Sequence, residues 1–433
     1  MKPLARQFGI SFLLKGASGG IGFLTTVVLG RTLGASGSGV FFLALSILTI
    51  SSAVSRLGFD QAITRRVAQL KENNEWPKIN SLHRRTITYI TVCSCLFSAI
   101  LYTLAPTLAE NCFQNPKLLP ALRWACLSIP PFSLTWAHSH FFQGIGKISL
   151  FQTFQNLCTY SIFLTLWFSA STLLKTIPQT AQLASALFAA ACYISATASI
   201  ITWQKTTRQK KQSPTDIENL EWCRDVSPLF GMLIISQLLL WTPQIILGAF
   251  WEESQVGIYT ASLRLANLVS LILVGVNSVV FPRFAALHAR GDHDNLKALA
   301  QRTARLMLIG CLPFLISLLM LPNLFLSLFG KDFTAGSTVL QIITLGQFFN
   351  VATGSVGGLL NMTGNQGAAF KCLFASLLVA LMGSFALIPS YGAEGAAVSQ
   401  SLSISIAMTL LTVTATKRLG FTPISLKPPS LRR

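Results

Sequence analysis

Of 433 residues, 52% are hydrophobic and only 11% are charged, against roughly 25% charged in soluble globular domains. That excludes a soluble globular protein and predicts a membrane one. The formal net charge of +19 comes without an aromatic-interleaved patch or a folded basic domain, which argues against nucleic-acid binding and leaves membrane topology to explain the charge.

A hydrocarbon core about 30 Å thick needs roughly 20 apolar residues of helix to cross it. Twelve stretches qualify, near residues 10–33, 38–58, 86–108, 118–142, 149–170, 180–203, 227–250, 255–281, 306–329, 335–361, 367–388 and 393–416. Stretches such as "LMLIGCLPFLISLLMLPNLFLSLF" (306–329) are apolar all round, whereas a β-barrel strand alternates apolar and polar residues. An all-α membrane protein is expected.

Helix 1 follows "MKPLARQFG". Its apolar run exceeds a signal-peptide core, Lys15 interrupts it, and helix 2 follows at once, so it reads as a retained span. "GASGGIG" (16–22) has no strand before it and fails as a nucleotide-binding loop. Gly16 and Gly20, like Gly354 and Gly358 in helix 10, have the four-residue spacing that lets helices approach closely. Arg56 stands near the end of helix 2, and His138 and His140 near the end of helix 4, where they read as interfacial. Gln237 and Gln244 lie in helix 7, Arg264 in helix 8, and Gln347, Asn350 and Asn361 in helix 10.

Placing the N-terminus in the cytoplasm puts 25 of the 33 Lys and Arg residues on that side. They cluster at Lys2 and Arg6, between helices 2 and 3 (Arg65, Arg66, Lys71, Lys78, Arg84, Arg85), at Lys147, and between helices 6 and 7. The rest lie between helices 8 and 9 (Arg283, Arg290, Lys297, Arg302, Arg305), at Lys371, and in the tail 417–433. Five fall outside (Arg31, Lys117, Arg123, Lys175, Lys331) and three within spans (Lys15, Arg56, Arg264). This is a strong positive-inside signal. The basic loops also suit anionic lipid headgroups.

Shifting the sequence by 218 residues lays "LGRTLGASGSGVFF" (29–42) over "LGAFWEESQVGIYT" (247–260), Arg65 over Arg283 and Arg84 over Arg302. Six spans separate the two copies, so both would enter from the same side. A parallel repeat of two six-helix lobes follows, one of the recurrent transporter architectures. The expected organisation is an N-terminal lobe 1–204, a cytoplasmic linker 205–225, a C-terminal lobe 226–416 and a basic tail 417–433.

"GRTLGASGSGVFFLALSILTISSAVSRLGFDQAITRRVA" (30–68) and "GIYTASLRLANLVSLILVGVNSVVFPRFAAL" (257–287) resemble the segments that open the two halves of the Wzx-type polysaccharide flippases, a branch of the multidrug/oligosaccharidyl-lipid/polysaccharide exporter superfamily. The resemblance implies two six-helix lobes around a central cavity that opens to either face in turn.

Enzyme chemistry finds little support. The nine cysteines and five histidines show no ligand spacing for a metal, no cofactor is called for, and external loops of about ten residues leave little room for a membrane glycosyltransferase. A cation-coupled drug exporter of the same superfamily is the rival. It calls for carboxylates inside the spans, and none of the fourteen acidic residues falls near the middle of one. The charges within spans are positive instead, which suits an anionic substrate. Arg264, Lys15 and Arg56 are the expected phosphate ligands, with Gln237, Gln244, Gln347, Asn350 and Asn361 available for sugar hydroxyls. The expected function is flipping a polyprenyl-diphosphate-linked oligosaccharide across the bacterial inner membrane, with the polysaccharide polymerase and glycosyltransferases as candidate protein partners.

Overall fold

The structure, a computed structural model, describes residues 2–173, 178–208 and 219–424. These residues are helical throughout: α1 (Lys2–Ser55), α2 (Phe59–Glu72), α3 (Trp76–Thr107), α4 (Leu118–Gly144), α5 (Ile148–Gln152), α6 (Cys158–Leu173), α7 (Ala181–Thr207) and α8 (Asn219–Phe250) come first. Then follow α9 (Glu253–Ala266), α10 (Val269–Ala289), α11 (His293–Met320), α12 (Pro322–Leu326), α13 (Ser337–Ala352), α14 (Val356–Met362) and α15 (Gln366–Leu419). Among the described residues, eight helical segments are long and apolar enough to cross a membrane.

Two of these segments hide a break. Gly34 in α1 (φ 69°, ψ −175°) and Gly392 in α15 (φ 55°, ψ −131°) leave helical space, in regions where a side chain would strain the backbone. In α15 the break reverses the chain. The Ser384 and Ser399 hydroxyls meet at 2.9 Å, and the Ser403 hydroxyl donates to the Ser376 carbonyl at 3.0 Å, so the two arms run antiparallel. Pro389 and the bend free backbone groups that cannot be left unpaired in lipid. Trp251 Nε1 donates to the Ile388 carbonyl at 2.7 Å, and Gln255 Oε1 accepts the Ala393 N–H at 3.3 Å.

The chain divides into two compact units, Met1–Trp241 and Thr242–Arg433. In the first, α4 lies against α1, α2, α3 and α7, around an aromatic cluster in which Phe142 stacks on Phe154 and Phe141 leans on Trp203. In the second, α13 lies against α9, α11 and α15. A methyl group at Gly346 would stand 2.8 Å from Ser401 Cα, so only glycine lets α13 approach α15 this closely. The division falls within α8. Of the expected linker, residues 209–218 lie outside the described residues, as do residues 425–433 of the tail.

Several expectations are corrected in detail. The segment between helices 2 and 3 is not a loop. It forms α2, whose Phe59, Ile63, Val67 and Leu70 are buried while Arg65 and Arg66 are exposed, and α3 begins at Trp76 instead of near 86. Likewise α11 begins at His293, capped by Asp292, whose carboxyl the Asn295 side-chain amide and backbone N–H hold below its usual range. Helix 8 is interrupted between α9 and α10 at residues 267–268, and helix 10 between α13 and α14 at residues 353–355. Close packing holds at Gly358, where a methyl group would lie 2.0 Å from the Phe281 ring, but not at Gly16 or Gly20, where it would meet nothing within 4 Å. The 218-residue offset recurs in the helix starts: Trp76, Leu118 and Ile148 are matched by His293, Ser337 and Gln366, at offsets of 217, 219 and 218.

Candidate functional site

Each unit carries a cluster of polar side chains, built differently. In the first unit α1 ends at a bend where Leu57 and Gly58 both have positive φ, and α2 starts with Asp60 in its first turn. The bend turns Asp60 back towards Arg56. Both Asp60 oxygens accept from Arg56 Nε at 3.0 Å, and a second guanidinium nitrogen, Nη1, donates to Ser52 Oγ. The guanidinium also lies over the Trp136 ring, 4.9 Å from its centre. Ser133 of α4 meets the hydroxyls of Ser52 and Ser55 at 2.8 and 3.2 Å.

Arg56 and Asp60 are 2% and 5% exposed. The expectation of an uncompensated Arg56 within its span is therefore corrected: the carboxylate that neutralises it stands four residues away, one turn beyond the bend. His138, expected at the interface with His140, is corrected too. His138 is buried, with Nδ1 2.9 Å from the Leu134 carbonyl, and His140 Nδ1 is 3.1 Å from Thr64 Oγ1. His83, which stacks on Trp203, approaches His138 with 5.2 Å between ring centres.

Lys15 is half-buried in α1. Gln237 accepts from Trp241 Nε1 one turn along α8 at 3.0 Å, and Gln244 is 1% exposed. The expected site residues thus scatter in the first unit and along α8.

They converge in the second unit. Arg264 is half-buried in the last turn of α9, where the helix carbonyl end favours a cation. Among the described residues no hydrogen bond or ion pair engages it. Three residues on, at the break, Asn267 Oδ1 accepts from Gln347 Nε2 at 2.8 Å, and Gln347 Oε1 in turn accepts from Asn350 Nδ2 at 3.0 Å. The three amides form a relay from the end of α9 to α13. A second tie follows where α14 begins: the Ser355 hydroxyl donates to Asn277 Oδ1 of α10. Asn267 and Asn277 are not among the polar span residues expected from the sequence. Their signal was there to read, a lone amide in an otherwise apolar run, with Asn267 one turn from Arg264. Asn361 lies exposed near the end of α14.

Chemically, the first cluster is closed, a cation and an anion that satisfy each other. The second presents a cation with an open valence beside neutral donors and acceptors, which is what an oxyanion flanked by hydroxyls would need.

The chain matches the family described as polysaccharide biosynthesis protein over residues 4–288, and that described as MatE over residues 228–386. It is 22% identical to a putative O-antigen transporter of Shigella flexneri over 401 residues, which cover 88% of this chain and 90% of the relative. Among solved structures it resembles a lipid II flippase in an inward closed conformation, with TM-score 0.68 and 14% identity over 95% of this chain and 87% of the other. It resembles equally an inward-facing multidrug transporter of the MATE family, with TM-score 0.68 and 12% identity over 94% of each chain. The fold is that of the exporter superfamily, and the chain is a multi-pass helical membrane protein.

Proposed function

The chain belongs to the polysaccharide biosynthesis protein family, and from that premise we propose that it flips a polyprenyl-diphosphate-linked oligosaccharide from the cytoplasmic to the periplasmic leaflet of the inner membrane by alternating access, for surface polysaccharide. The observation that carries this reading is Arg264, a half-buried cation with no counter-charge among the described residues. A charge within a membrane span faces a protein interior or water, and a diphosphate crossing hydrocarbon unaided would meet a desolvation cost of many kcal/mol. Arginine takes phosphate oxygens in a fork. Asn350 stands as a candidate beside the sugars, held by Gln347. Arg56 serves the fold instead, because Asp60 occupies it.

In this reading no bond is made or broken, so the protein is a transporter and not an enzyme. Twelve spans are reached by dividing α1 at Gly34 and α15 at Gly392 and by adding α4 and the α5–α6 segment to the apolar helices. They fall six to each lobe, 1–204 and 226–416, with both termini in the cytoplasm as the positive-inside excess requires. The polymerase and glycosyltransferases that use the same lipid-linked glycan are the expected protein partners.

The rival, export of cationic drugs, would use an embedded carboxylate. Asp60 is the one acidic residue buried among the described residues, and its charge is already matched by Arg56. Deleting the gene and analysing lipid-linked glycans by mass spectrometry separates the two. Accumulation of the glycan lipid on the cytoplasmic leaflet supports the flippase; unchanged glycans with altered sensitivity to cationic drugs would replace it with the exporter.

A further inference from the structure

The amide relay has a feature that a purely structural set of hydrogen bonds would not need. Gln347, at its centre, is 3% exposed and its amide is taken at both ends. Asn267 and Asn350 are half-buried, and each uses only one side of its amide. Among the described residues nothing pairs with Asn267 Nδ2 or Asn350 Oδ1. The relay therefore ends in one free donor and one free acceptor. Reversing all three amides keeps both internal bonds and again leaves one donor end and one acceptor end, since each amide carries both functions. Either way it offers what a hydroxyl needs, because a hydroxyl both donates and accepts.

Its position matters as much. Residues three apart on a helix are surface neighbours, about 5–6 Å between Cβ atoms. Arg264 and Asn267 have that spacing at the end of α9, and Gln347 and Asn350 have it on α13. The donor end at Asn267 thus lies one helical turn from the cation, about the distance from a phosphate to the ring hydroxyls of the sugar bonded to it, and the acceptor end at Asn350 is joined to it through Gln347. No second cation and no carboxylate belongs to the relay.

We propose, resting on the flippase reading, that Asn267 and Asn350 read the sugar attached directly to the diphosphate, that Gln347 positions both amides, and that this first sugar is a neutral hexose or N-acetylhexosamine. The diphosphate engages Arg264, and the relay supplies the discrimination.

The test uses the full-length protein in lipid nanodiscs and two kinds of probe: undecaprenyl diphosphate, and undecaprenyl diphosphate bearing a single N-acetylglucosamine or galactose. Two additional hydrogen bonds predict that the wild type binds one of the sugar-bearing lipids roughly tenfold tighter than the bare one. Asn267→Ala and Asn350→Ala should bring that ratio close to one, while Arg264→Ala weakens both probes and leaves a ratio above one. Gln347→Leu should also lose the ratio. Because it alters a buried residue, the half-buried Asn350→Ala, checked for wild-type thermal unfolding, decides the matter. A ratio that survives in Asn350→Ala and Asn267→Ala overturns the proposal, and so does a wild type that binds all probes alike. A wild type that binds none of them overturns the flippase reading itself, a result distinct from the other two.

Discussion

The two polar clusters hold an arginine each, and the difference between them lies in what stands one turn along. In the first unit a bend after Arg56 brings Asp60 back within 3.0 Å, and two serines of α1 and one of α4 complete the shell. In the second unit the helix stops two residues after Arg264, and the next residue, Asn267, supplies an amide that bonds elsewhere. A charge within a membrane protein is thus no guide to function until its counter-charge is located. The closed pair spends its interactions on the fold; the open cation keeps its own for a ligand.

Four single substitutions to alanine, with two companion variants, put this contrast at risk. The largest effect is expected from Arg264→Ala, which should abolish surface glycan at unchanged membrane abundance, with Arg264→Lys retaining part of it because lysine keeps the charge and loses the fork. If Arg264→Ala at wild-type level exports glycan at the wild-type rate, the open cation has no role and the contrast is empty. Next comes Asp60→Ala, which strands a buried guanidinium and should cost about 3–5 kcal/mol, visible as lost protein on a membrane blot and a lowered unfolding temperature. A double change, Arg56→Met with Asp60→Met, should recover much of that stability, and failure to recover would mean the pair does more than neutralise itself. Gln347→Ala, which leaves Asn267 without its partner, should cost about 1–3 kcal/mol in thermal unfolding. The smallest effect is Ser133→Ala, about 1 kcal/mol, since Ser52 still accepts from Arg56. A Ser133→Ala loss as large as that of Asp60→Ala would show the hydroxyls, not the ion pair, to be the core of the first cluster.

Much of this could be read in the sequence, for identifiable reasons. Long apolar runs specify membrane helices whatever their neighbours. "GRTLGASGSG" marked the break at Gly34, and the 218-residue offset foretold helix starts such as Ile148 and Gln366. Arg264 stood out because a cation in an apolar run has few explanations. The charge of segment 59–72 reads as a loop and hides its helix. Yet Phe59, Ile63, Val67 and Leu70 repeat at four, four and three residues, the period of a helix with one buried face. Arg56 reads as unpaired for the same reason, because its partner Asp60 lies in that segment. The breaks at 267–268 and 353–355 have different visibility. Gly354, with its positive φ, marks the second, but nothing in "RLANLVSL" (264–271) except one asparagine marks the first. The bond from Asn267 to Gln347 is tertiary and leaves no local trace.

The spacing of these partners along the chain also sets when each cluster can form during synthesis. Arg56 and Asp60 are four residues apart and leave the ribosome together, so their charges can cancel before either meets lipid. Asn267 waits for Gln347, 80 residues later, which at about 5–20 residues per second is roughly 4–16 s. During that interval the second unit holds an open cation and an unmatched amide in the insertion machinery, so its assembly is the slower and the more dependent on whatever shelters a nascent membrane helix. A chain stopped between residues 290 and 340 should accordingly be degraded faster than one stopped just after α3.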